Sequence, residues 1–182
     1  MVKQPLTIEY ALLGFLRQRP IHAYEIHQQL LQAEALGLVW HLKQSQLYAL
    51  LSRLEQAGHI TAAIEEHSGG PPKRILALTA SGREAFATWI AAPVQHGRDF
   101  RIEFLAKLFF ARQEGTHTVE ALIEHQRQEC RSWLADLQWQ AERLGSEKPY
   151  DWLVLEFRIG QIRATLTWLD TSELILTSQT VR

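Results

Sequence analysis

Apolar residues recur along the chain at two periods, and the change of period marks out its elements. From Thr7 to Gln18 the positions Ile8, Ala11, Leu12, Phe15 and Leu16 follow helical spacing, and Arg19-Pro20 ends the run. Residues 22–35 predict a second helix with Ala23, Ile26, Leu30 and Leu31 inward, closed by Gly37, and 38–42 form a short connector. Residues 44–57 predict a third helix with Leu47, Leu50, Leu51, Leu54 and Ala57 on one face and Gly58 just past its end. The period then drops to two. Ile60, Ala62 and Ile64 alternate as a half-buried strand, residues 67–72 (HSGGPP) form a turn, and residues 73–79 return as a second strand. A fourth helix, capped by Thr79 or Ser81, runs through Phe86, Trp89 and Ile90 to about Ala92.

Beyond residues 93–98, the best linker, the pattern is wholly helical. One helix covers about 100–113, a long one about 118–144, and a last one about 150–170. In the long helix Val119, Ile123, Gln126, Cys130, Trp133, Leu137, Gln140 and Leu144 step by alternating fours and threes, a heptad seam. The fold class that follows is mainly α. A winged helix-turn-helix over 1–92 (three helices, a β-hairpin wing, a fourth helix) precedes an all-α domain of about three helices over 99–172. The seam predicts a homodimer, with Val119, Ile123, Gln126, Cys130, Trp133, Leu137 and Leu144 facing a second subunit. The alternative is that the same stripe packs within its own chain.

A helix that reads DNA needs an apolar face toward its core and an uncharged or basic face toward the major groove. The third helix offers both. Gln44, Ser45, Gln46 and Ala49 lie opposite the leucines, and Glu55, its one acid, sits in the last turn. Gln44 and Gln46 are the residue type that pairs with adenine through two hydrogen bonds. Lys43, Arg53 and the wing residues Lys73 and Arg74 suit phosphate contacts, which set register without carrying sequence. On that reading Arg74→Ala lowers the slope of log affinity against log salt by about one unit. The partner is a double-stranded, roughly palindromic operator.

Charge changes little. Residues 1–92 carry 8 Lys/Arg against 7 Asp/Glu, and residues 93–182 carry 11 against 13, so any DNA contact depends on placement rather than net charge. The sequence has no 18-residue apolar run and no signal-peptide pattern, which points to the cytoplasm. Cys130 is the single cysteine and reads as a packed thiol.

The ordered set Leu12-Leu13-Gly14-Phe15-Leu16, Pro20-Ile21-His22-Ala23-Tyr24-Glu25-Ile26, Trp40, Leu47 through Ile60, Gly70-Pro71-Pro72-Lys73-Arg74 and Leu78 through Arg83 resembles the PadR family of bacterial transcriptional regulators. The likeness covers roughly residues 8–90. It implies a homodimeric repressor whose third helix enters the major groove and whose C-terminal helices dimerise. It adds Tyr24 and Tyr48 to the DNA-contacting candidates. The chain departs from the family at Ala23, Lys43, Pro71 and Leu76, and Pro71 replaces a common wing arginine.

Other chemistry finds no support. The histidine spacings lack the i, i+4 pair of a zinc site, so no metal or cofactor is expected. No nucleophile elbow or phosphate loop is present, which argues against an enzyme. Five of the six tryptophans fall in the fourth helix or later and read as core and interface. The sharper alternative is a pocket for a flat aromatic effector at Trp89, Trp133 and Trp152. A winged helix turned to protein–protein contact is the competing function.

Overall fold

The computed structural model of the chain describes residues 8–31, 36–65, 73–144 and 148–178. Pro71 and the rest of the expected hairpin tip lie outside the described residues. Two compact units are present. One holds the chain up to Ile90 together with Phe100–Phe110, and the other holds Ala91–Asp99 together with the chain from Ala111 onward.

The first unit runs α1 (Ile8–Phe15), β1 (Ile21–His22), α2 (Ala23–Leu31), a 3-10 turn (Leu36–Leu38), α3 (Gln44–Gln56), β2 (Ile60–Glu65), β3 (Lys73–Leu78) and α4 (Ala80–Ala91). The expected hairpin is therefore one part of a three-stranded antiparallel sheet in the order β1-β3-β2. Ile60 pairs with Leu78 and Ile64 with Arg74, while Ile21 pairs with Leu76 across the other edge. β1 is two residues long, too short for a periodic signal in sequence. Leu12, Leu13, Ile26, Leu47, Leu54, Ile60 and Phe86 form the buried centre.

Glycine ends α3 for a backbone reason. Gly58 has φ 75°, and the N–H groups of Gly58 and His59 donate back to the carbonyls of Glu55 and Leu54, each at 2.9 Å. Thr79 caps α4: its hydroxyl accepts the Gly82 N–H at 3.0 Å and donates to the Gly58 carbonyl at 2.7 Å. Ser81, the other candidate cap, instead bonds the His59 ring at 3.2 Å. A Cβ on Gly82 would stand 2.0 Å from the His59 carbonyl oxygen, so α4 lies hard against the junction of α3 and β2.

After a π-helical turn (Phe100–Phe104) comes α5 (Leu105–Glu114). The sequence places residues 99–113 with the C-terminal helices, whereas Phe100–Phe110 clusters with the N-terminal elements. The physical reason is aromatic. Phe110 meets Phe15 and Phe86 edge-on, at 5.3 and 5.7 Å between ring centres, and fills the space left by the absent side chain of Gly14. Lys107 is buried beside it, paired with Glu103 at 2.9 Å and lying over the Trp89 ring at 5.4 Å.

In the second unit α6 (Thr116–Arg143) and α7 (Pro149–Ser178) fold back on each other. Leu155, Ile159, Ile162 and Leu169 form the inner face of α7. That helix runs on past the expected end near 170. Its later hydroxyls bond back along the helix, Thr171 to the Thr167 carbonyl at 3.0 Å and Ser172 to that of Trp168 at 2.8 Å, so they do not break it. Buried Arg127 on α6 clasps the two helices. It bonds Asp170 at 3.0 Å and Glu173 at 2.6 Å on α7, and Glu124 on its own helix. Burial alone would push Arg127 toward losing its proton, and the three carboxylates together more than offset that. The outer side of α7 stays exposed although it is apolar, with Leu153, Phe157, Trp168, Leu174 and Ile175 along it.

Candidate nucleic-acid interface

α3 divides cleanly. Leu47, Leu50, Leu51 and Leu54 are buried, and Gln44, Ser45, Gln46, Tyr48 and Ala49 are exposed. Its leading half carries no carboxylate, so nothing on that half repels a phosphate backbone. Tyr24 stands 59% exposed in the first turn of α2, and Tyr48 47% exposed on α3. The connector before α3 is anchored by buried Trp40.

The start of α3 solves a problem that the sequence leaves open. Lys43 occupies the cap position in an extended conformation, without a short polar side chain to cap the helix. Gln46 supplies the missing bond in reverse: its Oε1 accepts the Lys43 N–H at 3.1 Å. Pairing Gln46 with adenine uses both ends of the amide, so Gln46 must give up this bond to read a base fully. Gln44 carries no such competing bond among the described residues, and is the better placed reader of the two.

The expected phosphate-binding cations divide as well. Lys43 is exposed. Arg53 pairs with Glu9 of α1, whose side chain is nearly buried. Arg74 on β3 reaches both oxygens of Glu55 in the last turn of α3, at 2.7 and 2.8 Å. Lys73 opens β3 opposite Glu65, and its side chain lies outside what the structure describes. Two of the candidate phosphate contacts are thus engaged by the chain's own carboxylates.

The expected dimer seam needs correction. Val119, Ile123, Gln126, Cys130 and Leu137 are buried within the single chain, while Trp133 and Leu144 are half-buried. Gln126 does not face a free surface. Its Oε1 accepts the Val94 N–H at 2.7 Å and its amide points back to the Val94 carbonyl, which fastens the 91–99 segment to α6. Burial pushes the Cys130 thiol up to about 11.

The three tryptophans of the expected effector pocket do not share one. Trp89 is buried against Phe86 in the first unit, and Trp152 is exposed on α7. Trp133 alone of the three lines a cavity of about 620 Å³ in the second unit. The segment around Gly97, α6 and α7 line it, with Leu137 and Ile162 as apolar lining and Arg98, Arg158 and Asp136 as charged lining. The Trp133 indole N–H donates to Glu129 at 2.8 Å, which fixes the ring.

The chain is similar in sequence to known proteins. Residues 12–88 fit the transcriptional regulator PadR-like family. The chain carries a PadR-like domain. Residues 100–177 fit a second family, the C-terminal part of virulence activator alpha. The negative transcriptional regulator PadR of Bacillus subtilis is 27% identical over 174 residues, 91% of this chain and 94% of that protein. A probable transcriptional regulator of Mycobacterium tuberculosis is 27% identical over 53% of this chain and 50% of its own length. Among solved structures, Bacillus subtilis PadR in complex with operator DNA is 26% identical, with a TM-score of 0.47 over 94% of this chain and 99% of that one. The same protein in complex with p-coumaric acid is 25% identical, with a TM-score of 0.43 over 97% and 99%. No described helix is long and apolar enough to cross a membrane.

Within the PadR-like domain, sequence reasoning found α3 and its exposed residues but missed their partners. Glu9 and Glu55 are separated from Arg53 and Arg74 by 44 and 19 positions, so no local spacing reveals the pairs. Of the Arg127 clasp, only Glu124, three residues away on the same helix, had a signal in sequence.

Proposed function

We propose that this chain is a sequence-specific DNA-binding transcriptional regulator that acts in the cytoplasm as a homodimeric repressor, relieved by a small aromatic effector. The observation that carries it is the exposed, carboxylate-free leading half of α3, held on the core by four buried leucines. A helix so mounted presents glutamines and a tyrosine to a groove without opposing the phosphates around it. The sequence likeness to a negative transcriptional regulator over most of both chains supports the same reading. The test is a gel shift against the DNA upstream of the chain's own gene. A retarded complex that unlabelled fragment competes away, and unrelated duplex does not, is expected. No retardation at low salt with any upstream fragment sinks the proposal and leaves a protein-binding winged helix.

The seam of α6 is spent within the chain, so the second subunit needs another surface. The outer face of α7 supplies one, with Leu153, Phe157, Trp168 and Ile175 flanking the small residues Gly160 and Ala164. Exposed apolar area of this extent on one helix favours burial against protein, and a two-fold contact presents the same face from both copies. For the effector, the cavity lined by Trp133 also holds Arg98 and Arg158 against one carboxylate, Asp136, a lining suited to a flat ring bearing an acid. Saturable quenching of tryptophan fluorescence by planar aromatic compounds, abolished in Trp133→Leu, is the expected result; no quenching across a diverse panel counts against it.

A further inference from the structure

We infer that Arg74 is a positioning residue, which fixes the angle between the recognition helix and the wing strand through Glu55, and is not a phosphate contact. The inference rests on the DNA-binding reading above and reassigns one of its residues.

Arg74 is held at both ends. Its guanidinium Nη2 donates to both Glu55 oxygens, and its backbone carbonyl accepts from the His22 ring Nδ1 at 2.9 Å. The His22 backbone N–H in turn donates to Glu25 at 3.2 Å, and Glu25 accepts from Arg19 at 2.7 Å. Those two bonds, Arg19 first, hold the Glu25 carboxyl below the usual range, so it keeps its charge. One run of polar contacts therefore ties the last turn of α3 to β3, to β1 and to the first turn of α2, where Tyr24 stands. Arg74 is the one member bonded to both the recognition helix and the sheet. On the opposite side Arg53 pairs with Glu9 of α1. The trailing half of α3 is thereby fixed by two ion pairs of opposite polarity, and its leading half is left free for the groove.

The two roles predict opposite signs for one substitution. If Arg74 contacts phosphate, Glu55 competes with DNA for it, and Glu55→Gln tightens binding. If Arg74 positions the wing, Glu55→Gln and Arg74→Gln break the same bond and weaken binding alike. Exposed ion pairs are weak, so the expected loss is about threefold to fivefold for each. A lost phosphate contact would also lower the salt slope by about one unit.

The experiment measures affinity for the retarded upstream fragment at several salt concentrations for wild type, Glu55→Gln, Arg74→Gln and the double variant. Equal losses, a double variant no worse than either single, and an unchanged salt slope are expected. Tighter binding by Glu55→Gln, or a slope lowered by about one in Arg74→Gln, overturns the inference. Hydrogen exchange on the free protein separates this from failure of the DNA-binding reading. Both single variants are expected to speed exchange at the paired amides of β2 and β3 by a similar factor, whether or not wild type binds the fragment, and unchanged exchange overturns the inference.

Discussion

α3 and α7 each bury one face and leave the other uncovered, and the two uncovered faces differ in kind. On the leading half of α3 the remainder is glutamine, serine, alanine and tyrosine. On α7 it includes a stripe of leucine, phenylalanine, tryptophan and isoleucine. Neither face is needed for the fold of its own unit, so each records a requirement beyond folding. A polar face without carboxylates tolerates a polyanion. An apolar face left in water carries a standing cost, roughly 25 cal/mol for each Å² that a partner could remove. The comparison teaches that heptad spacing alone does not locate a subunit contact. Both long helices are apolar along one stripe, and only burial separates the stripe that is spent from the one that is left.

The largest effect expected from breaking this contrast is on assembly. Phe157 is 67% exposed, and Phe157→Glu places two carboxylates in any two-fold contact made by the outer face. Sedimentation is expected to show dissociation at concentrations at least about a hundredfold higher than for wild type, with the helical signal intact. A variant that stays as associated as wild type clears α7 of the role.

The inner face of the same helix gives the next largest effect. Arg127→Met removes a buried cation and leaves Glu124, Asp170 and Glu173 facing one another without it. The carboxylates left behind are partly exposed, so the loss is expected to be about 1–2 kcal/mol of stability, readable by urea unfolding. The pH dependence has a definite sign. The Arg127 hydrogen bond, then that of Gln128, holds the Glu124 carboxyl below its ordinary value. Its contribution is therefore present above the ordinary glutamate range and is lost as pH falls through the lowered value. Unfolding curves for wild type and Arg127→Met should converge in acid.

On α3 the two glutamines should part company. Gln44→Ala is expected to lower operator affinity about tenfold while leaving binding to random duplex unchanged, since it removes a base contact and no phosphate contact. Gln46→Ala also removes the bond to the Lys43 N–H, and should lower thermal stability by about 0.5–1 kcal/mol in the absence of DNA. Equal behaviour of the two in both assays erases the distinction. The smallest effect is chemical. With its thiol pushed up and fully buried, Cys130 should react with a thiol reagent at pH 8 only after unfolding.

The N-terminal elements were legible because each carries its own period and its own stop. Leu47, Leu50, Leu51 and Leu54 fall on one helical face, and Gly58 then takes the positive φ that ends α3. β1 was invisible because a pairing of two residues is made by its neighbour, not by its own pattern. The α6 seam was read correctly as apolar and assigned to the wrong side, since a heptad records only that something packs there. Of the interface, the exposed residues of α3 could be named from sequence. The engagement of Arg53 and Arg74 could not, because a carboxylate far along the chain decides whether a cation is available. The cavity at Trp133 was half seen: the tryptophan was noted, while Arg98 and Arg158 reach it only through tertiary folding.

The contact between Gly82 and the His59 carbonyl offers a genetic handle on the protein. A single methyl group there meets the His59 carbonyl and the Leu78 side chain but no residue on the exposed face of α3, and it must push the start of α4 away from the end of that helix. Gly82→Ala should therefore behave as a conditional allele, active when cool and inactive when warmed, with its lesion at a seam no DNA footprint would reveal.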